Sequence, residues 1–269
     1  MVLLEYFSTA VFGLIFGSFL SALTFRLPRH VSIGQGRSFC DKCKKQISWY
    51  DNIPLLSFIL LKGRCRYCHK KISIRYPLIE FLTALTFVFV FYFFTAFKGE
   101  TLQGSIFYTW KEALGVGALP YFFLLFLILI AIFVIDIEKQ IIPDSLIFCL
   151  FLVVAIALIL THIENFYDYF FAGFAAASFL LLLVFITKGK GMGLGDVKLA
   201  IPLGTILGLE QTGIWMFLAF LTGGYLGIIL ILVKKAKLRE KIAFGPFLVF
   251  AFVLTLFWGN KFLINLGIF

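Results

Sequence analysis

Apolar positions gather into long blocks, at roughly residues 4–25, 78–97, 119–136, 145–161, 169–187, 212–233 and 244–258, with a shorter one at 199–209. A helix needs about 20 predominantly apolar residues to cross a bilayer. The blocks therefore predict about eight spans, of which 199–209 is short for a full crossing. The first block lacks the marks of a cleaved signal peptide. "MVLLEYF" is acidic, it offers no basic n-region, and no small-residue cleavage site precedes "RLPRH". It is expected to stay as an anchor.

Composition agrees with the pattern. Of the 269 residues, 61% are hydrophobic and only 14% charged, 36 are phenylalanine, and the mean hydropathy is +1.02. These values lie outside the soluble globular range. Charge then orients the spans. With eight crossings, segments 26–76, 137–144, 188–198 and 234–241 share one side, and they hold 21 of the 24 Lys and Arg residues. The positive-inside rule makes that side cytoplasmic and places both termini outside. The net charge of +10 is thus read as a topology signal and an affinity for anionic lipid. A nucleic-acid partner is not expected, because no basic and aromatic array forms a separate soluble domain.

The one sizeable polar loop, between the first two spans, carries "CDKC" and "CRYC". Cys40, Cys43, Cys65 and Cys68 form two C-x2-C pairs separated by 21 residues, a four-thiolate zinc pattern. Two disulfides are the alternative, and a reducing cytoplasmic side argues against them. Four cysteines leave no open coordination position, so the expected role is structural. The fold class is then an all-α polytopic membrane protein with a small cytoplasmic zinc-knuckle domain between its first two helices. Cys149, inside an apolar run, reads as a small buried hydrophobe. His30, His69 and His162 show no ligand spacing.

Two carboxylates stand at cytoplasmic ends of apolar runs. Asp136 closes "LILIAIFVID", with Glu138 and Asp144 following, and Asp196 closes "GKGMGLGD" before a helix expected to start at "VKLA". Ionisable groups at membrane depth are functional candidates by default. If the two meet, like charges a few ångströms apart cannot both ionise, so one carboxylate keeps a proton while the other activates water. Other readings stay open: Asp196 and Asp144 as helix N-caps, and Asp136 as a mere helix end at the interface. A phosphate loop is rejected, since the glycines lack a following G-K-[ST] and no strand precedes them. Gly193 or Gly195 is expected to take a positive φ, or to let another backbone approach closely.

Taken together, "FGSFLSALTFRLPR", the double C-x2-C loop, "WYDNIPLLSFILLKGRCRYC", "ISIRYPLIEF", "IDIEKQIIPD", "GMGLGDVKLA" and "IAFGPFLVF" resemble the bacterial prepilin leader peptidases, with "GLGD" similar to the GxGD signature of intramembrane aspartic proteases. The resemblance covers nearly the whole chain. It implies that Asp136 and Asp196 are the catalytic pair. It also implies that type IV prepilins or pseudopilins are the substrates, and that a short basic leader is cut on the cytoplasmic face. The new N-terminus would then be methylated from S-adenosylmethionine. Residues 1–25 would be the first transmembrane helix, 26–77 the loop domain associated with methyl transfer, with Gly63 and Glu80 in its motifs, and 78–269 the membrane peptidase. Where many relatives have Asn, this chain has Ser21. Glu80, Glu138 and Asp144 are expected to draw the basic leader to a basic face. No Rossmann-type fingerprint accompanies the methyl donor, so that activity rests on the resemblance. A scaffold with a docking knuckle would tolerate Asn at both aspartates. A proton-coupled transporter would spread its acids in depth, whereas here they cluster near one face.

Overall fold

In lipid a helix is the element that satisfies its own backbone, and each long apolar block is helical in the computed structural model. Residues 2–32, 38–96, 105–161, 166–189, 191–233 and 243–265 are described. Lys98, His162 and the basic segment 234–241 lie outside them. The helices are α1 (Val2–Arg26), α2 (Leu56–Leu60), α3 (Arg75–Ala96), α4 (Ile106–Leu114), α5 (Ala118–Lys139), α6 (Asp144–Thr161), α7 (Phe166–Ile186), α8 (Leu194–Leu232) and α9 (Gly245–Asn265). Among the described residues, seven helical stretches are long and apolar enough to cross a membrane.

The count of seven joins two expected spans into one. At 39 residues, α8 would be about 58 Å long if straight, nearly twice the roughly 30 Å hydrocarbon core. It is broken at Gly208, which has φ 76° and ψ 173°. Thr212 Oγ1 lies 3.5 Å from the Gly204 carbonyl, whereas eight residues of straight helix advance about 12 Å. The chain therefore turns sharply there, and the expected spans 199–209 and 212–233 are the two arms. Carbonyls freed by the break find donors: the Trp110 indole donates to Ile206 at 2.9 Å, and the Thr212 hydroxyl to Gly208 at 2.7 Å.

The chain divides into two compact units, Met1–Ala96 with Phe122–Ala131, and Phe97–Tyr121 with Ile132–Phe269. In the first, Gly13 and Gly17 of α1 form a G-x-x-x-G face on α3. A Cβ at either would stand 2.7 Å from a backbone Cα of α3, at Ala84 and Glu80 respectively. Small residues at this spacing allow that approach where lipid supplies no hydrophobic drive. Arg75 ties the helices further, donating to the Ser21 carbonyl at 3.1 Å and the Thr24 hydroxyl at 2.8 Å. In the second unit Gly204 of α8 meets Gly173 of α7 in the same way, with a Cβ at Gly204 standing 2.9 Å from the Gly173 Cα.

One expectation about packing fails. Cys149 is exposed. The buried stripe of α6 runs through Leu146, Leu150, Val154 and Ala157, and Cys149 falls off it. An apolar run that crosses lipid has two apolar environments to face, and sequence does not say which one a given residue meets.

Candidate active site

The two aspartates lie in the second unit and come together. Asp136 sits in the last turn of α5, where its carbonyl accepts the N–H of Gln140 at 2.8 Å. Gln140 takes a left-handed C-cap geometry, φ 54° and ψ 38°, which ends the helix and sends the chain into Ile141–Pro143. Asp196 lies three residues after Gly193, and α8 begins at Leu194, earlier than expected at Val197. Its Oδ2 accepts the Gly193 N–H at 3.2 Å. That is the back-reaching half of a capping box, with Gly193 as N-cap and Asp196 as third helical residue. Asp196 is therefore not the N-cap of this helix, which is Gly193; it caps from the third helical position, a role compatible with its burial. Asp136 is 4% exposed and Asp196 6%. The Asp136 charge acts on Asp196.

Ile142 is the spacer that the site is built around. A Cβ at Gly195 would stand 3.2 Å from its Cβ, and a Cβ at Gly245 would stand 3.1 Å from its Cδ1. Both glycines open helices, α8 and α9. Their missing side chains let two helix starts close on the turn that follows Asp136. The Gly245 N–H faces the Asp136 carboxylate, and a Cβ there would fall 2.6 Å from Asp136 Oδ2. Oδ2 itself is buried and has no hydrogen-bond partner among the described residues. The chain thus fixes one side of that carboxylate and leaves one oxygen for something else to engage. Neither Gly193 nor Gly195 has a positive φ; among nearby glycines that geometry falls on Gly189, with φ 70°. With the helix starting at Leu194, Gly195 already has helical angles, and its glycine is needed for the approach of Ile142.

Ile142 and Gly245 were not singled out by sequence. The available signal for Gly245 was the Gly-Pro step of "IAFGPF" at the start of a span, since Pro is suited to a first helical turn. Glu138 and Asp144 stand outside the pair: Glu138 is exposed, and Asp144 forms an exposed ion pair with Lys198 at 2.7 Å.

The four cysteines belong to the first unit and form one structure made twice. In each knuckle the first cysteine donates its N–H to the carbonyl five residues on, Cys40 to Lys45 and Cys65 to Lys70, both at 2.9 Å. Isolated bridges Phe39–Gln46 and Arg64–Lys71 close the two loops. Lys44 and His69, next after the second cysteines, are left-handed at φ 60° and 53°. All four Sγ atoms lie within 4.8 Å of one another, and Cys40 and Cys68 are 3.9 Å apart. A tetrahedral ion with metal–sulfur bonds near 2.3 Å sets its sulfurs about 3.8 Å apart, so this set can hold one metal. The cysteines are free of disulfides. Burial pushes the Cys65 thiol up, but the N–H groups of Cys68 and Tyr67 together with hydrogen bonds from the Cys40 and Cys68 thiols outweigh it and leave it lowered to about 7. At Cys68 the Lys70 N–H favours the thiolate, yet burial and the neighbouring thiols win and push it up to about 11. Four thiolates cannot gather without a cation, which a metal supplies.

Gly63 and Glu80, expected to act in methyl transfer, also lie in the first unit, with different roles. Gly63 has φ 66°, its carbonyl accepts from Ile72 at 2.8 Å, and a Cβ there would stand 3.1 Å from the Phe58 ring. It shapes the second knuckle. Glu80 lines a cavity.

Comparison with known proteins gives two family matches: Bacterial Peptidase A24 N-terminal domain over residues 11–94, and Type IV leader peptidase family over residues 123–228. The second range contains both aspartates. The chain is 32% identical over 285 residues to the Prepilin leader peptidase/N-methyltransferase of Aeromonas hydrophila, covering 95% of this chain and 92% of that protein. For the protein of that name from Pseudomonas aeruginosa the identity is 30%, covering 94% and 90%. For the one from Bacillus subtilis it is 28%, covering 93% of each. No solved structure matches.

Proposed function

The chain belongs to the type IV leader peptidase family, and from that premise we propose that it cuts the basic leader from type IV prepilins or pseudopilins with Asp136 and Asp196, then methylates the new N-terminus. The observation that carries this reading is the buried pair itself. Each carboxylate faces a glycine N–H, and Asp136 keeps one buried oxygen without a partner among the described residues. With one proton shared between them, the ionised carboxylate takes a proton from water, and the water oxygen attacks the scissile carbonyl. The protonated partner donates to the carbonyl oxygen, and a proton then passes to the departing amide nitrogen. The concentration of Lys and Arg on one side supports a cytoplasmic site in a bacterial inner membrane.

In this reading residues 1–25 anchor the chain, 26–77 serve methyl transfer, and 78–269 cut the peptide. Zinc is the metal assigned to Cys40, Cys43, Cys65 and Cys68. It would hold the two knuckles together as structure and take no part in hydrolysis. S-adenosylmethionine is the methyl donor, with Gly63 and Glu80 serving that activity. The test is to incubate purified full-length protein with a candidate prepilin and the donor, and to weigh the product. Loss of the leader plus the mass of one methyl group is expected. An intact prepilin across several pilin and pseudopilin candidates would overturn the peptidase assignment.

A further inference from the structure

The polar loop between α1 and α3 holds one apolar run of its own, "IPLLSFILL" at residues 53–61, closed by Lys62 and Arg64. Its centre is α2, 5 residues long. The run has two faces. Phe58 and Leu61 turn inward and line the cavity of the first unit. Leu56, Ile59 and Leu60, at the i, i+3, i+4 spacing of one helix face, are 50%, 68% and 71% exposed. Large aliphatic side chains exposed side by side on a polar domain mark a surface that something apolar covers.

One hydrogen bond fixes how deep this face sits. The Leu55 N–H donates to Glu80 Oε2 at 2.9 Å. Leu55 holds φ 56° and ψ −47° to make it, a backbone geometry that a non-glycine residue keeps only under constraint. Glu80 lies five residues past Arg75, where α3 starts, which is about 7.5 Å along the helix axis. At that level α3 already faces lipid: Leu78, Phe81 and Leu85 are exposed on a span that runs from Arg75 to Thr95. On α1 the same level is Gly17, nine residues before the helix ends at Arg26. Because α2 begins beside Leu55 and is itself about 7.5 Å long, its outer face stays within one such length of that depth. Lys62 and Arg64, both exposed, follow directly.

We propose that α2 is an interfacial anchor, with Leu56, Ile59 and Leu60 set into the acyl-chain edge of the leaflet that α1 and α3 enter, and Lys62 and Arg64 on anionic lipid phosphates. Helices that lie in the interface bury their apolar face about 5–10 Å into the boundary between headgroups and acyl chains, which matches the depth of Leu55 below the start of α3. Lys and Arg beside such a face reach back to the phosphates along their aliphatic stems. Each cation near the surface favours an anionic membrane by about fivefold. Lipid is also the neighbour already at hand, because both ends of the loop are spans. The knuckle domain is then held to the bilayer at α2 as well as at α1 and α3, and its cysteine cluster keeps a fixed height at the surface. This attachment is independent of which reaction the chain performs.

The test places a fluorescent reporter on the face. Full-length Ile59→Trp is reconstituted in phosphatidylcholine and phosphatidylglycerol vesicles, and the fluorescence it adds over wild type is quenched by lipids brominated near the ester, by lipids brominated near the chain end, and by aqueous acrylamide. Phe81→Trp, on the lipid side of α3, is the reference, and Leu60→Trp replaces Ile59→Trp if melting temperature shows the latter misfolded. The shallow bromines are expected to quench most and acrylamide least. Quenching by acrylamide with none by either brominated lipid overturns the anchor. Acrylamide access that disappears only when a prepilin is added overturns it too, in favour of a protein partner. With bromine carried on phosphatidylglycerol, quenching should exceed that from the same fraction of brominated phosphatidylcholine by at least about twofold, and Lys62→Ser with Arg64→Ser should remove the difference. A preference that survives both substitutions overturns the assignment of those two cations.

Discussion

Replacing Gly245 by alanine puts a methyl group where the Asp136 carboxylate stands. The added Cβ would lie 2.6 Å from Oδ2 and 3.1 Å from Ile142 Cδ1, whereas ordinary contact begins at 3.4 Å. The carboxylate and the start of α9 must therefore part by about 0.8 Å, judged against that contact limit. Retreat is restricted on both sides. Ile142 occupies one flank, and the Asp136 backbone is held by the Gln140 cap at 2.8 Å. A misplacement of about 1 Å in a catalytic group costs on the order of 100-fold in rate, or about 2.7 kcal/mol of transition-state stabilisation. The assay is steady-state cleavage of one prepilin by wild type and Gly245→Ala, normalised to folded protein by size exclusion and melting temperature. We expect kcat to fall about 100-fold while KM changes by less than about threefold, because the change misplaces a reacting group and leaves binding contacts intact. Gly213→Ala is the control: a Cβ there meets nothing within 4 Å among the described residues, and activity should be unaltered. Near-wild-type kcat in Gly245→Ala would refute the argument that the glycine seats a catalytic carboxylate.

Asp136→Asn and Asp196→Asn should each abolish cleavage while the protein still inserts and folds, and Asp144→Asn, which removes only an exposed ion pair with Lys198, should leave most of it; an indispensable Asp144 beside a dispensable Asp136 would reverse the assignment. Gly195→Ala places its Cβ 3.2 Å from Ile142 Cβ, a milder conflict than at Gly245. Turnover should fall by about tenfold, since a smaller displacement costs less, and unchanged turnover would mean that the turn yields freely. Replacing Cys40 and Cys43 by serine removes half the thiolate shell. Structural zinc contributes about 10–16 kcal/mol of apparent binding energy in isolated fingers, chiefly to folding its own loop. Methylation should therefore be lost first and leader cleavage should partly survive. Metal analysis and thiol alkylation of wild type check the premise, and four freely alkylated thiols without zinc would defeat it.

Crossing a bilayer is a local requirement, and so the spans could be read from sequence. A run such as 145–161 must be helical because lipid offers its backbone no other partner, whatever surrounds it. The knuckles were equally local: in "CDKC" and "CRYC" the spacing brings two sulfurs to one loop, and the hydrogen bonds that repeat in both knuckles involve residues no more than nine apart. Asp136 and Asp196 stood out because charge is scarce in such a chain, but their encounter depends on how separate helices pack, which no short stretch records. The same holds for Gly245, whose purpose appears only when Asp136 Oδ2 and Ile142 occupy the space its side chain would need. Cys149 shows the converse: an apolar run carries no mark of which face meets protein and which meets lipid, since both are apolar. The depth of α2 needed tertiary structure too. Leu56, Ile59 and Leu60 are only a short apolar run in sequence, and it is the bond from Leu55 to Glu80, between residues 25 apart, that sets them beside the lipid-facing side of α3.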